Sequence, residues 1–352
     1  LALTATGTFT TDTTDTIKLS DTANIAGVNS GAALTATKLT LVSGASATMT
    51  AAQNNGFTGS VSAAGTNTLT MTTAGAITAL TGIDTYQLIT GVQTITLADT
   101  AQNVTADGTG STKLVTIDTG NLTSVTGTFT SAGSDTMKLL LSHTTGVDIS
   151  TVNMGAVDNV GLDTNAKGTM TIAQHNVINS ATGTANKVTL TDAGTVTANS
   201  NVETFVLANA GSTTLTLTAA GQSVDAGSGG TNTIDFAALT ATGTFTTTTS
   251  DIIKLNDTAN IAGAVKSGGS AGDALTATNL TLVTAASVSM TAAQHNGFTG
   301  TVTAAGTAGG SDGEQITLTT AGTVTGESVI ETYVLSGNSN VFTIGTAAQS
   351  VN

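Results

Sequence analysis

The chain has 352 residues, a formal net charge of −14 and only eight basic side chains. Binding to nucleic acid or to an anionic membrane surface depends on Lys and Arg, so this composition argues against both partners. With no Cys, Pro or Trp and only 3% aromatic residues, the chain has neither disulfides nor the material for a thick aromatic core. No apolar run is long enough to span a membrane, and we expect no direct membrane insertion.

The sequence repeats itself three times. Phe9, Phe129 and Phe245 stand in matching surroundings and are separated by 120 and then 116 positions. We assign the three copies to residues 1–118, 119–236 and 237–352. A fixed period of this kind predicts an array of structural units rather than a single globule. The third copy ends at residues that match Ala101–Val104 of the first, so we expect this chain to be part of a longer array.

Short segments that alternate apolar and polar residues follow one another along the chain, as expected of strands with one buried face. The abundant Thr and Val favour strands and disfavour helices. The sequence therefore predicts an all-β protein. In chain order the clearest strands are Lys38–Val42, Thr68–Thr72, Thr94–Leu97, Lys187–Thr191, Thr213–Thr218 and Gln315–Thr319.

Two all-β architectures compete. A parallel β-solenoid (β-helix) of three repeats is favoured by the short strands, the scarcity of aromatic residues and the absence of Pro-containing linkers. Tandem β-sandwich domains are the alternative, because each copy has the size of such a domain. The pairs Asn55-Gly56 and Asn296-Gly297 support that alternative, since Asn-Gly favours hairpin turns.

Recurring acids are the candidate metal ligands. Asp15, Asp135 and Asp251 occupy the same place in all three copies. Each is interpreted either as a turn residue that bonds its own backbone or as a calcium ligand. Asp84, Glu203 and Glu331 also recur, and we expect them on a solvated strand face. Further Asp residues lie near turns where an ion could bind, namely Asp12, Asp21, Asp99, Asp107, Asp158, Asp163, Asp225, Asp235 and Asp257.

The sequence contains no residue pattern that is typical of a catalytic site. His175 and His295 are equivalent, but Asn54 replaces them in the first copy, and His143 has no counterpart. Without Cys or clustered His there is no zinc-binding pattern. The Gly227–Gly230 stretch lacks the Lys and helix start of a phosphate loop and is interpreted as a turn. We predict that the protein is not an enzyme.

One segment carries a resemblance to a known class. Val224–Asp235 resembles a degenerate glycine- and aspartate-rich nonapeptide of the RTX type, with Thr231 or Asn232 where that repeat has Asp. Asn201–Leu207 is similar to segments that accompany such repeats in bacterial surface-layer proteins and giant adhesins. The resemblance implies secretion by a type I system, location at the bacterial cell surface, and calcium at Asp225 and Asp235.

Together these observations predict an extracellular structural protein that self-assembles into a surface layer or filament. Its main partner would be further copies of itself, because an array exposes unpaired strand edges. Rows of Thr hydroxyls offer a second surface, to which glycans could bind. The alternative is the repetitive stalk of a large adhesin.

Overall fold

A computed structural model of the chain describes residues 3–106, 113–132, 135–208, 211–305, 313–336, 340–345 and 349–352. The chain is all-β, and its strands stack in parallel as a β-solenoid. It divides into two compact units, Leu1–Thr169 with Val177–Gly183 and Met170–Asn176 with Thr184–Asn352. Asp107 lies outside the described residues.

Most strands have only three to five residues. The first eighteen are β1 (Leu3–Gly7), β2 (Thr16–Leu19), β3 (Thr22–Val28), β4 (Lys38–Leu41), β5 (Ser46–Met49), β6 (Val61–Ala63), β7 (Thr68–Met71), β8 (Gly75–Thr78), β9 (Thr85–Leu88), β10 (Val92–Thr96), β11 (Asn103–Ala106), β12 (Leu114–Asp118), β13 (Phe129–Ser131), β14 (Thr136–Leu141), β15 (Val147–Asp148), β16 (Asn159–Leu162), β17 (Lys167–Met170) and β18 (Ile178–Ala181).

The remaining strands are β19 (Lys187–Leu190), β20 (Thr195–Thr197), β21 (Thr204–Leu207), β22 (Thr214–Thr216), β23 (Ser223–Asp225), β24 (Thr233–Asp235), β25 (Thr244–Thr246), β26 (Ile252–Leu255), β27 (Val265–Lys266), β28 (Asn279–Leu282), β29 (Ser287–Met290), β30 (Val302–Ala304), β31 (Gln315–Leu318), β32 (Thr323–Thr325), β33 (Thr332–Leu335), β34 (Val341–Thr343) and β35 (Ser350–Val351). The helices are α1 (Ala51–Gly56), α2 (Ile172–His175) and α3 (Ala292–Gly297), with single 3₁₀ turns at Asn29–Gly31 and Met154–Ala156.

Strands that are two apart in the sequence pair in space. In the first unit this gives the sheets β1-β3-β5-β7-β9-β11-β13, β8-β10-β12-β14-β16-β18 and β2-β4-β6. In the second unit it gives the runs β19-β21-β23-β25-β27 and β20-β22-β24-β26-β28-β30 and the sheets β29-β31-β33-β35 and β32-β34. Each step of a ladder is therefore one coil of the solenoid. The ladder from β1 to β13 takes six steps, so one sequence repeat comprises six coils.

Coil length varies because the turns, not the strands, absorb insertions. Successive ladder partners are 17 residues apart at Thr68 and Thr85 and 28 apart at Ser287 and Gln315. The ladder runs without a break past both predicted copy boundaries. Strand β12, which ends at Asp118, pairs with β10 and β14, and β24, which ends at Asp235, pairs with β22 and β26. The copies are thus not separate β-sandwiches.

The core is a set of apolar columns that run along the ladders. In most strands the inward residues are buried and the outward ones are half-buried or exposed, as the two-residue period of a strand requires. Stacking each aliphatic side chain on its equivalent in the next coil fills a narrow interior without large aromatic residues. One column of the first unit consists of Ile77, Ile95, Ile117, Leu139, Val160 and Ile178, and one of the second unit consists of Val196, Leu215, Ile234, Ile253 and Leu280.

Each copy contains one short helix, which the sequence analysis did not predict. Helix α1 begins at the N-cap Thr50, whose hydroxyl accepts a hydrogen bond from Gln53 N at 3.1 Å while Gln53 Oε1 accepts one from Thr50 N at 3.0 Å. The same capping box opens α2 and α3. Asn55-Gly56 and Asn296-Gly297 lie in the last turns of α1 and α3, so their assignment to hairpin turns was wrong.

The helices mark the places where one sheet ends and another begins. The strand that follows each helix (β6, β18 or β30) is the last of its sheet, and the next even-numbered strand (β8, β20 or β32) is the first of a new one. The side chain of Asn55 pairs with the free edge of β8, donating to Ala76 O and accepting from Thr78 N, each at 2.9 Å. Asn296 donates to Thr323 O on the edge of β32 in the same way. Helices α1 and α3 therefore cover sheet edges that would otherwise be open to pairing.

Candidate functional site

The candidate histidines lie in the short helices and are buried. In the third copy His295 Nε2 is 3.1 Å from Tyr333 Oη, which accepts a hydrogen bond from Glu327 N at 2.8 Å. In the first copy Asn54 takes the place of His295, and Tyr86 Oη accepts from Leu80 N at 2.6 Å. The same backbone N–H thus finds a hydroxyl acceptor in both copies.

In the second copy a different side chain accepts the hydrogen bond from the equivalent backbone N–H. Phe205 replaces the tyrosine and has no hydroxyl, and the equivalent backbone N–H, that of Asn199, donates to His175 Nε2 at 3.4 Å. The His175 and Phe205 rings meet edge to face, with centroids 5.5 Å apart. Burial lowers the pKa of both His175 and His295, so both rings are neutral at neutral pH. His175 is therefore an acceptor for the backbone, and both rings are packing partners inside the coil.

His143 is separate from the other two histidines. Its Nδ1 is 2.9 Å from Gly146 O and its Nε2 is 3.0 Å from Thr145 Oγ1, so its contacts are within its own turn. Among the described residues no three His, Cys, Asp or Glu side chains lie close enough together to hold a metal ion.

The aspartates predicted as calcium ligands accept hydrogen bonds from N–H groups. Asp15 is exposed and accepts from Asp12 N at 2.9 Å. Asp251 is buried and accepts from Asn232 N at 2.9 Å and from Thr248 N and Oγ1 at 2.7 and 3.0 Å.

The equivalent Asp135 in the second copy has a cationic neighbour. It is buried, accepts from Lys113 N at 2.9 Å and lies 3.7 Å from Lys113 Nζ. In both Asp135 and Asp251 the carboxylate satisfies a backbone N–H of the preceding coil, which is a structural role.

Asp225 and Asp235 lie in neighbouring strands but on different sheets. Asp225 accepts from Gly227 N at 3.0 Å in a local turn. Asp235 accepts from Ala237 N at 2.8 Å and from Lys254 Nζ at 2.7 Å. Calcium needs several oxygen ligands that converge on one point. Here N–H donors and a lysine hold these carboxylates instead, so this donor set does not fit the calcium that the sequence predicts.

Asp84, Glu203 and Glu331 are half-buried rather than on a solvated face. Each accepts a hydrogen bond from the backbone N–H of the residue before the neighbouring strand, namely Asn67, Asn186 and Glu314. In the third copy this neighbour is itself an acid. Burial and the adjacent Glu314 side chain raise the pKa of Glu331.

The functional residues that sequence analysis missed are five buried or half-buried glutamines, which we call the bridging glutamines. Gln102 Oε1 accepts from Ala98 N and Asp99 N at 2.7 and 3.1 Å within its own turn. Its Nε2 donates to Leu80 O and Ile83 O of the preceding coil at 2.9 and 3.1 Å. One side chain therefore ties two consecutive turns together and satisfies four backbone groups.

The same arrangement recurs in each copy. Gln222 repeats all four bonds of Gln102, and Gln349 accepts from Gly345 N and donates to Glu327 O and Ile330 O. At the helices, Gln53 and Gln294 bridge from the capping box to carbonyls of the preceding coil. Recurrence of Gln at two places per copy was the signal in the sequence. The bridging glutamines are Gln53, Gln102, Gln222, Gln294 and Gln349, and Gln174 occupies the equivalent place in α2.

A regular polar surface lies on strands β5 to β13. Its outward side chains form two columns without a single charge, in contrast to the strongly acidic chain as a whole. Neighbouring coils are linked along it by side-chain hydrogen bonds, for example Thr130 Oγ1 to Thr105 Oγ1 at 2.9 Å and Thr70 Oγ1 to Gln87 Oε1 at 3.1 Å. The ten residues are Ser46, Thr48, Thr68, Thr70, Thr85, Gln87, Asn103, Thr105, Thr128 and Thr130.

No helix among the described residues has the length and apolar character needed to cross a membrane. Comparison with protein-family models, characterised proteins and solved structures gave no match.

Proposed function

We propose that this protein is a structural protein of the bacterial cell surface, which self-assembles into a layer or filament and catalyses no reaction. The observation that carries the proposal is that buried polar side chains form hydrogen bonds between neighbouring coils. The bridging glutamines, Asp135 and Asp251 all bond to backbone groups of the neighbouring coil. These polar side chains thus stabilise the stacking of one coil on the next.

The outer surface supports the same proposal. Parallel ladders and short, uniform strands give large regular surfaces, of which the uncharged face of β5 to β13 is the clearest example. An acidic chain repels copies of itself, and an uncharged face is where that repulsion is smallest. Location outside the cell is proposed from the resemblance to surface-layer and RTX proteins.

Negative-stain electron microscopy and sedimentation velocity of the purified chain test the proposal. Ordered sheets or fibres that form with rising protein concentration are the expected result. Particles that stay single at every concentration would contradict self-assembly and would favour the stalk of an adhesin. Immunogold labelling of the producing cells tests the location, where label inside intact cells would contradict it.

A further inference from the structure

A lysine and an aspartate face each other in a buried site between two coils. The Lys113 side chain is only 1% exposed, and its Nζ lies 3.7 Å from Oδ2 of Asp135, whose side chain is 3% exposed. Lysine is rarely buried to this extent. Strand β12 begins directly after Lys113 and β14 directly after Asp135, so the two residues have the same place in neighbouring coils.

The next copy shows what is unusual about this site. At the equivalent place there, Asn232 takes the position of Lys113, and Asp251 takes that of Asp135. In both copies the carboxylate accepts a hydrogen bond from the backbone N–H of the preceding coil at 2.9 Å. The backbone arrangement is therefore the same with or without the lysine.

The second carboxylate oxygen differs between the two sites. Asp251 Oδ2 accepts hydrogen bonds from Thr248 N and Oγ1 at 2.7 and 3.0 Å. The residue three positions before Asp135 is Ala132, which has no hydroxyl. Among the residues that the structure describes, Asp135 Oδ2 has no hydrogen-bond partner. A buried carboxylate oxygen of this kind is uncommon and needs an explanation.

We propose that Lys113 and Asp135 condense to an amide, so that a covalent bond links the two coils. One proton passes from Nζ to Oδ2, and the amine then attacks Cγ of Asp135. The bond between Nζ and Cγ forms, the bond between Cγ and Oδ2 breaks, and Oδ2 leaves as water with a second proton from Nζ. The third proton of the ammonium stays on the amide nitrogen. The pair holds every atom of the products, so the step needs no further reactant.

The contacts of the pair favour this step. The backbone N–H of Lys113 donates to Asp135 Oδ1 at 2.9 Å, and this is the oxygen on which negative charge develops during the attack. The leaving oxygen, Oδ2, is the one that lacks a hydrogen bond within the described part of the chain. An amide is less costly to bury than an ion pair, and the exclusion of water protects it from hydrolysis.

A second lysine–aspartate pair provides a contrast. Lys254 Nζ donates to Asp235 Oδ2 at 2.7 Å, but 33% of the lysine side chain is exposed. Solvent stabilises this pair in its charged form, and a hydrogen bond occupies the oxygen that would have to leave. We therefore expect Lys254 to stay unmodified.

Mass spectrometry of the intact, denatured chain tests the amide directly. The parent chain is expected to weigh less than its sequence by one water molecule, and Lys254→Arg should show the same loss. Lys113→Arg keeps the positive charge but replaces the attacking amine, so it should have its full sequence mass. A parent chain of full mass would overturn the proposal and leave an ion pair only. A loss of water that persists in Lys113→Arg would also overturn it, because the water would then come from another site.

Digestion with trypsin locates the bond. Trypsin cleaves after unmodified lysine, and an amide on Nζ blocks cleavage after Lys113. The parent chain should therefore give residues 39–138 as one peptide that is lighter by one water molecule, whereas Lys113→Arg should give residues 39–113 and 114–138. Separate peptides from the parent chain would contradict the amide.

Thermal unfolding measures what the bond does for the chain. An amide between the coils restricts the unfolded chain as a disulfide does, so the parent chain should have a Tm several degrees above that of Lys113→Arg. Lys254→Arg should unfold close to the parent chain, and equal Tm values for all three would contradict a covalent link. This inference does not depend on self-assembly, since a chain that carries the amide but stays single would sink only the proposed function.

Discussion

The outermost N-terminal coil and the coils of the interior contain the same residues in different surroundings. Asp15 lies on the exposed first coil and bonds within its own turn, whereas the equivalent Asp251 is buried and accepts three hydrogen bonds. Likewise, the Phe9 side chain is exposed whereas the equivalent Phe245 is buried. The comparison shows that in this solenoid the role of a residue is set by whether a coil lies on both sides of it.

The largest expected effect follows from this difference. Replacing Asp251 by Ala leaves Asn232 N and Thr248 N without their acceptor in a buried site, so we expect a loss of about 3 kcal/mol in the free energy of unfolding. Asp15→Ala removes an exposed turn contact and should cost about 0.5 kcal/mol or less. Urea unfolding followed by circular dichroism measures both.

Asp251→Asn is the matched control for this prediction, because an amide keeps one acceptor oxygen and should recover part of the loss. If Asp15→Ala and Asp251→Ala destabilise the chain equally, burial by a second coil is not what distinguishes the two sites.

The bridging glutamines give the next largest effect. Gln222→Leu keeps the volume of the side chain but removes the partners of Asn199 O and Val202 O, and should cost about 2 kcal/mol. Gln349→Leu, in the last coil, should cost less because water can replace its bonds there. Hydrogen exchange of the amides in each turn would locate the loss. Equal protection in the Gln222→Leu variant and the parent chain would contradict the bridging role.

The architecture could be predicted from the sequence because it depends on a strong, repeated signal. Apolar and polar residues alternate in most strands, which predicts the apolar columns, and the three matching copies indicate an array. The continuous ladders past Asp118 and Asp235 confirm the solenoid and exclude separate sandwiches. The coil length was not predictable, since turns of variable length leave the strand register unchanged.

The polar interior was missed for two physical reasons. Helices of four to six residues have no apolar periodicity, and their only sequence signal is the capping box at Thr50, Thr171 and Thr291. Glutamine is normally a surface residue, so neither Gln102 nor Gln222 attracts notice until the coil above and the coil below are both present. Such side chains can be recognised in sequence only by their recurrence.

A third prediction concerns pH and compares the copies. Burial lowers the pKa of His175 and His295 in the folded chain, so the unfolded chain binds protons more readily. Stability is then complete above the ordinary histidine pKa of about 6.5 and falls as the pH is lowered below it. Thermal unfolding at a series of pH values should show this loss.

The first copy supplies the control for the pH prediction. His295→Asn reproduces the Asn54 and Tyr86 pair, and His175→Asn with Phe205→Tyr reproduces it in the second copy. The triple variant should lose the pH dependence between neutral pH and about pH 5, while acids that titrate lower still act. An unchanged pH profile would show that other groups cause the loss.

The smallest expected effect is that of calcium. A site with a Kd one hundredfold below the added calcium would stabilise the chain by about 2.7 kcal/mol and raise the Tm by several degrees. We expect no such shift, because Asp235 Oδ2 is 2.7 Å from Lys254 Nζ and Asp251 already accepts three hydrogen bonds from N–H and O–H donors. A divalent cation would have to displace a lysine from the first of these sites and two backbone N–H groups from the second.

Calorimetry with millimolar calcium and then with a chelator measures the difference in Tm. A rise in Tm that the chelator reverses would restore calcium as a ligand, and its loss in Asp235→Asn would place the ion at the Lys254 pair.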